Sequence, residues 1–232
     1  MATAIRSPVC TQAWIFARTT EGMGKVLSSK WTKGLAFLLC LVPLFLLGWR
    51  AYRQNLGANP IEKITHTTGD WTIRFLLITL SVTPLRKLLN QPKLARFRRM
   101  LGLFAFFYGC LHLMTWMWLD KFFDVREMWQ DVVKRRFITA GMLAFVCLIP
   151  LAITSTNGWV RRLGFVRWQR LHRLVYFSAL AGVIHYYWLV KSDVRLPLFY
   201  GGILAVLMTY RLAAWMLSKS TKRSATAASM LK

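Results

Sequence analysis

The stretch from Arg170 to Lys191 constrains this chain more than any other. It is apolar over a length that crosses a bilayer, since about 20 residues of helix span the hydrocarbon core. It carries His172 near one end and His185 near the other. Helical rise over that interval separates the two side chains by roughly 20 Å, so they sit at different depths. An ionisable residue inside a membrane helix is costly and usually functional. Imidazole is also the common protein ligand of a buried haem iron. The stretch therefore reads as a membrane helix from which haem can hang. The interval is about 3.6 turns, which leaves the two rings on different faces of an ideal helix. Either the helix is distorted, with Gly182 a candidate, or the rings address different neighbours.

Comparable apolar runs recur along the 232 residues, 56% of which are hydrophobic and 17% charged, and this predicts an all-α membrane protein. Runs at 34–50, 70–85, 101–119, 137–154, 170–191 and 197–217 predict a six-transmembrane-helix bundle over residues 34–217. The second of these is expected to stop at Thr83-Pro84 and to be preceded by a separate short segment holding His66. Residues 1–33 are expected to be an N-terminal cytosolic tail, and 218–232 a Ser/Thr/Ala/Lys-rich C-terminal cytosolic tail. Little remains for a soluble catalytic domain. A GxGxxG fingerprint and a P-loop are both missing, so the chain has no nucleotide-binding domain of its own. The four cysteines form no CxxC pair, which points away from zinc, iron–sulfur and disulfide frameworks alike.

A net charge of +24 would suggest nucleic acid in a soluble protein, but here the basic residues flank apolar spans. The positive-inside bias explains them better. Arg86, Lys87, Lys93, Arg96, Arg98 and Arg99 lie in one loop without an acid, and Arg161, Arg162, Arg167 and Arg170 in another. The opposite loops hold Glu62, Asp70, Asp120, Asp124, Glu127, Asp131 and Asp193. Six spans then put both termini in the cytosol, with no nucleic acid among the partners. On that topology His172 lies near the cytosolic face, while His112 and His185 lie toward the outer half at similar depth.

His112, His172 and His185 are the candidate haem and iron ligands. A haem clamped between two helices needs one imidazole from each at matched depth, which favours His112 with His185 and leaves His172 as an inner or second-haem ligand. The ordinary alternative is that such histidines hydrogen-bond a neighbouring helix. His66, at the membrane edge, suits a solvated or capping role better than ligation. Arg74 could neutralise a haem propionate or simply pair with Asp70 one turn away. The basic loops could hold an anionic flavin phosphate or dock an acidic electron donor. No residue set is arranged for catalysis on a substrate.

Read in order, a further set of short motifs extends this picture. They are Asn59-Pro60, His66-Thr67-Thr68-Gly69, Thr83-Pro84-Leu85, Arg98-Arg99-Met100-Leu101-Gly102-Leu103 and Leu111-His112-Leu113. Thr154-Ser155, Arg162-Leu163-Gly164, Trp168 to Tyr176, and Ile184-His185-Tyr186-Tyr187-Trp188 follow. Together they resemble the YedZ/MsrQ family, the haem-binding membrane subunits of the bacterial MsrPQ protein-methionine-sulfoxide reductase system. The likeness covers roughly residues 34–217. The wider group is the ferric-reductase-like transmembrane domain, whose larger members carry two histidines on the third helix and two on the fifth.

The resemblance implies a six-helix cytochrome b in the bacterial inner (cytoplasmic) membrane. It implies haem b and FMN as cofactors, and electrons drawn from membrane quinones or a cytosolic flavin reductase. It also implies a periplasmic molybdopterin-containing methionine-sulfoxide reductase as the partner, which repairs oxidised envelope proteins. The chain would then be an electron-transfer subunit rather than the catalytic one. Two other readings stay open: a ferric or quinone reductase acting directly on a small substrate, and a non-redox membrane transporter.

Overall fold

The computed structural model of the protein describes residues 22, 24–190 and 192–230, with side chains described as far as Ser220. Most of the expected N-terminal tail, including Cys10 and Glu21, lies outside these residues. Among the described residues, regular structure is entirely helical. The elements are α1 (Lys30–Tyr52), α2 (Pro60–Leu88), a 3-10 turn (Pro92–Arg96), α3 (Phe97–Met114) and a π-helical segment (Thr115–Asp120). After them come α4 (Val125–Lys134), α5 (Arg136–Ile153), α6 (Asn157–Leu163), α7 (Phe165–Leu171), α8 (Leu174–Leu189) and α9 (Arg195–Met230).

Helix starts follow local chemistry. Asn59 accepts from the Glu62 N–H at 3.3 Å and Pro60 takes the first helical position, so α2 begins with one orphan donor capped and another absent. Asp124 caps α4 in the same way through the Glu127 N–H at 3.0 Å. Gly164, at φ 74°, supplies the left-handed turn between α6 and α7.

Among the described residues, four stretches are long and apolar enough to cross a membrane: Lys30–Tyr52, Pro92–Asp120, Arg136–Ile153 and Arg195–Ser220. The other two predicted spans depart from that simple pattern, each for its own reason. The segment holding His66 and the second apolar run are one helix, α2, and it continues through Pro84 to Leu88 instead of ending there. Its N-terminal half carries Glu62, Lys63, His66, Asp70 and Arg74, which dilutes its apolar character. The opening stretch of the sequence is in turn broken at His172 and Arg173, so that α8 has only 16 residues. The break answers the phase problem: His172 and His185 do not share a continuous helix, and Gly182 lies within regular α8.

Two helix pairs dominate the packing, α2 with α3 and α5 with α8. In the first, Phe75 stacks on Tyr108 and Phe104 packs beside it. Tyr108 is almost fully buried; its hydroxyl donates to the Cys40 carbonyl at 2.9 Å and accepts from the Leu44 N–H at 3.2 Å. It thereby ties α3 to α1 on either side of Pro43, whose missing N–H weakens the helix there. In the second pair, small residues let the backbones approach. Ser178 and Ala179 are fully buried, and the Ser178 hydroxyl donates to the Ala144 carbonyl at 2.9 Å.

Candidate functional site

The two helix pairs present one histidine each to a common space. His112 stands near the end of α3 and His185 near the end of α8, and their rings lie 6.0 Å apart, centroid to centroid, at 74°. His112 Nδ1 is 2.9 Å from the Thr65 carbonyl of α2. His185 Nδ1 is 2.6 Å from the Phe137 carbonyl of α5. A carbonyl can only accept, so each Nδ1 carries the proton and donates it. Each Nε2 is then left with a lone pair, the state an iron ligand requires. A ligating histidine held through its other nitrogen by a carbonyl has its tautomer and orientation fixed and its basicity raised.

The two halves use the same device. Four residues after Thr65 stands Gly69, and four residues after Phe137 stands Gly141. Within a helix the carbonyl at position i already accepts from the N–H at i+4, and its second lone pair lies beside the side chain at i+4. Glycine leaves that lone pair open to an incoming imidazole. The contact is close: a Cβ on Gly69 would sit 3.0 Å from His112 Cε1, and one on Gly141 only 2.7 Å from His185 Nδ1. Each glycine is therefore the cradle of one ring.

This geometry fits haem. Two imidazoles bonded to opposite faces of one iron put their centroids about 6 Å apart, roughly 2 Å of bond and 1 Å from nitrogen to ring centre on each side. Among the described residues no cluster of three or more His, Cys, Asp or Glu side chains is placed to hold a bare metal ion. A pair of imidazoles suits a group that brings its own equatorial donors, as a porphyrin does.

His172 is placed differently. It caps α7, and its Nε2 lies 3.0 Å from Thr154 Oγ1. Thr154 gives its own proton to the Pro150 carbonyl at 2.6 Å, so His172 Nε2–H is the donor and the free lone pair is on Nδ1. The ring facing it is Trp168, at 4.0 Å, whose indole N–H donates to the Thr154 carbonyl at 2.9 Å. The structure thus brings His112 and His185 together and leaves His172 apart from both. His66 keeps a half-exposed position 3.8 Å from Glu62.

Other polar groups line the neighbouring helices. Arg74 lies 3.7 Å from Asp70, donates from Nε to the Tyr200 hydroxyl at 2.8 Å, and stacks over Trp71. Nearer the opposite end, Arg211 of α9 donates to the Tyr176 hydroxyl and to the Leu80 carbonyl. The π-helical segment begins three residues after His112, and such segments are frequent beside functional sites. Sequence reasoning quoted Gly69 only as part of a motif, without this role, and missed Gly141 and the two carbonyls, Thr65 and Phe137. The available signal was a glycine inside an otherwise helical apolar run.

Comparison with known proteins identifies the family. Residues 68–183 match the family model described as ferric reductase like transmembrane component. A protein of Herminiimonas arsenicoxydans named protein-methionine-sulfoxide reductase heme-binding subunit MsrQ is 55% identical over 197 residues, covering 84% of this chain and 90% of that relative. The protein of the same name from Caulobacter vibrioides is 53% identical over 178 residues, covering 77% and 85%. That of Rhodospirillum rubrum is 52% identical over 176 residues, covering 76% and 85%.

Proposed function

The chain belongs to the ferric-reductase-like transmembrane family and, within it, to the MsrQ family, and from that membership we propose that it is the haem-binding electron-transfer subunit of a protein-methionine-sulfoxide reductase system. The observation that carries the proposal is the facing pair His112 and His185, each with Nδ1 tied to a carbonyl and Nε2 left to bind.

Haem b at this pair supplies reversible one-electron chemistry. The chain's own part is positional. Thr65 and Phe137 hold the two imidazoles in the ligating tautomer, and Gly69 and Gly141 admit them close to α2 and α5. The two helix pairs partly bury both rings, and that burial tunes the potential. A second haem toward the other end would take His172 through Nδ1, the nitrogen that Thr154 leaves free. Arg74 is the cation nearest in sequence to Gly69 able to meet a propionate.

In full, the reading is a six-helix bundle over 34–217 in the inner membrane, with both termini cytosolic. Electrons arrive from membrane quinones or a cytosolic flavin reductase, with FMN as an intermediate carrier. They leave toward a periplasmic molybdopterin-containing methionine-sulfoxide reductase. Charge distribution supports the orientation, since the acids of the described chain sit together at the end carrying His112 and His185. The test is electron delivery. Protein purified and reduced under anaerobic conditions is mixed with that partner and methionine sulfoxide, and reoxidation of the haem is followed optically. Reoxidation that requires both partner and sulfoxide is expected. Equal reoxidation by ferric chelates or quinone analogues without the partner would move the assignment to a direct reductase.

A further inference from the structure

At the end of the molecule opposite the facing histidines, an open groove of about 720 Å³ lies between the starts of α1 and α3. Lys30, Lys33, Arg96 and Arg99 line it, with Asn157 beside them and Gly34, Phe37, Met100 and Leu103 forming an apolar floor. No lining residue is acidic, and none of the four cations makes a salt bridge with a carboxylate among the described residues. Arg96 gives two of its five N–H donors to the Leu27 and Ser29 carbonyls at 2.7 and 3.1 Å, which neutralise no charge and leave donors free.

Helix polarity sharpens the imbalance. Lys30 and Lys33 fall in the first turn of α1, and Arg98 and Arg99 in the first turn of α3, with no acid in either turn. The N-terminal end of a helix is already positive, so cations there are disfavoured and anions favoured. Two helices break the same local rule at the same groove. Such a conflict without compensation inside the protein marks a place where a ligand completes the site.

The apolar floor identifies the ligand class. Phe37 and Leu103 are exposed, and nothing lies within 4 Å of where a side chain on Gly34 would begin. Leu35, Leu38 and Leu39 of α1 are exposed around it, so the groove opens onto the surface that faces lipid. We infer that this groove binds an anionic phospholipid, its phosphate among Lys30, Lys33, Arg96 and Arg99 and an acyl chain along Gly34, Phe37 and Leu103. Basic pockets between membrane helices take phospholipid head groups on these grounds. The lipid joins α1 to α3 at an end where Arg96 and Lys93 already bind the segment before α1 through the Leu27, Ser29 and Gly24 carbonyls.

The test uses the full chain in phosphatidylcholine vesicles with traces of spin-labelled phosphatidylglycerol or phosphatidylcholine. Electron paramagnetic resonance reads the motionally restricted fraction of each. At about 1 kcal/mol per engaged cation, the anionic lipid is expected to be preferred about fivefold or more. Lys33→Gln with Arg99→Gln removes two of the four cations and should cut that preference severalfold, whereas Arg161→Gln with Arg162→Gln should retain it. Gly34→Leu changes no charge and improves helix propensity, yet it fills the floor, so it too should lower the preference. A preference untouched by Gly34→Leu and by the Lys33/Arg99 pair reflects diffuse attraction to a basic face and overturns the site. A preference abolished by excess inorganic phosphate at constant ionic strength assigns the groove to a soluble phosphate ester and overturns the lipid.

Discussion

His185 and His172 come from one apolar stretch, and the structure treats them in opposite ways. His185 meets a bare carbonyl beside Gly141 and faces a second imidazole across 6.0 Å. His172 meets the hydroxyl of Thr154 and the indole of Trp168, and its Nε2 is occupied as a donor. The difference lies in α5, which offers glycine and carbonyl at one end and threonine at the other. His185 has Nδ1–H fixed by its neighbour helix and Nε2 left to bind, whereas His172 has Nε2–H taken by that helix and only Nδ1 left.

The largest effect separates these two roles directly. His112→Ala or His185→Ala should abolish the b-type absorbance of haem held at this pair in a reduced-minus-oxidised spectrum, since each removes one of the two imidazoles that would hold it. His172→Ala should leave that band in place, and any loss it causes should be of a distinct second band. A single band lost equally in all three variants would falsify the contrast between the two ends.

Next in size come the glycine cradles. Gly141→Ala forces a Cβ to 2.7 Å from His185 Nδ1, where helix backbone on one side and an apolar bundle on the other leave little room to yield. Loss of about tenfold or more in haem affinity is expected, comparable to removing a partner that orients a metal-bound histidine. Gly69→Ala, at 3.0 Å from a ring carbon, should act in the same direction but less strongly. Gly182→Ala meets nothing within 4 Å and should instead stabilise α8 by about 0.5–1 kcal/mol with haem unchanged. Haem titration of the three apoproteins measures the order.

Much of this was legible in the sequence because membrane helices announce themselves by length and apolarity. The depth match of His112 with His185 followed from counting residues along spans, and the structure sets those two rings side by side. Two things did not follow. Counting treats Arg170–Lys191 as one rod, but the chain breaks at His172 and Arg173, where ring and hydroxyl contacts from α5 and α7 replace regular packing. Nor does a pattern of apolar residues say which backbone carbonyl will be left open. Gly69 and Gly141 acquire meaning only when a ring from another helix arrives beside them.

At the end carrying His172, Thr154→Val sharpens the comparison by removing a hydroxyl while keeping the shape. His172 Nε2–H then loses its acceptor, at a cost of about 1–2 kcal/mol for a half-buried donor left unpaired. Thermal unfolding should register that loss, while the band that depends on His112 and His185 keeps its position and intensity. A shift of that band would mean that the two ends are coupled through α5.

The smallest effect on haem should come from Lys121, beyond the π-helical segment that follows His112. Its ammonium is only 6% exposed and lies 2.8 Å from Asp131, 2.5 Å from Glu127 and 3.8 Å from Asp120. Hydrogen bonds to Asp131 and Glu127 hold its pKa above the ordinary 10.5, against the opposing effect of burial. A lysine whose folded pKa is raised contributes stability that is complete below the unfolded value and fades as pH climbs through the folded one. Lys121→Met should therefore lower Tm by a constant amount from neutral pH to about 10, the ordinary lysine range. Above that range the gap to the native protein should narrow. The haem spectrum should not change, because the lysine anchors α4 and touches neither imidazole ring. A gap that widens with rising pH would mean that the three carboxylates, rather than the ammonium among them, control the loop that carries the outer end of the site.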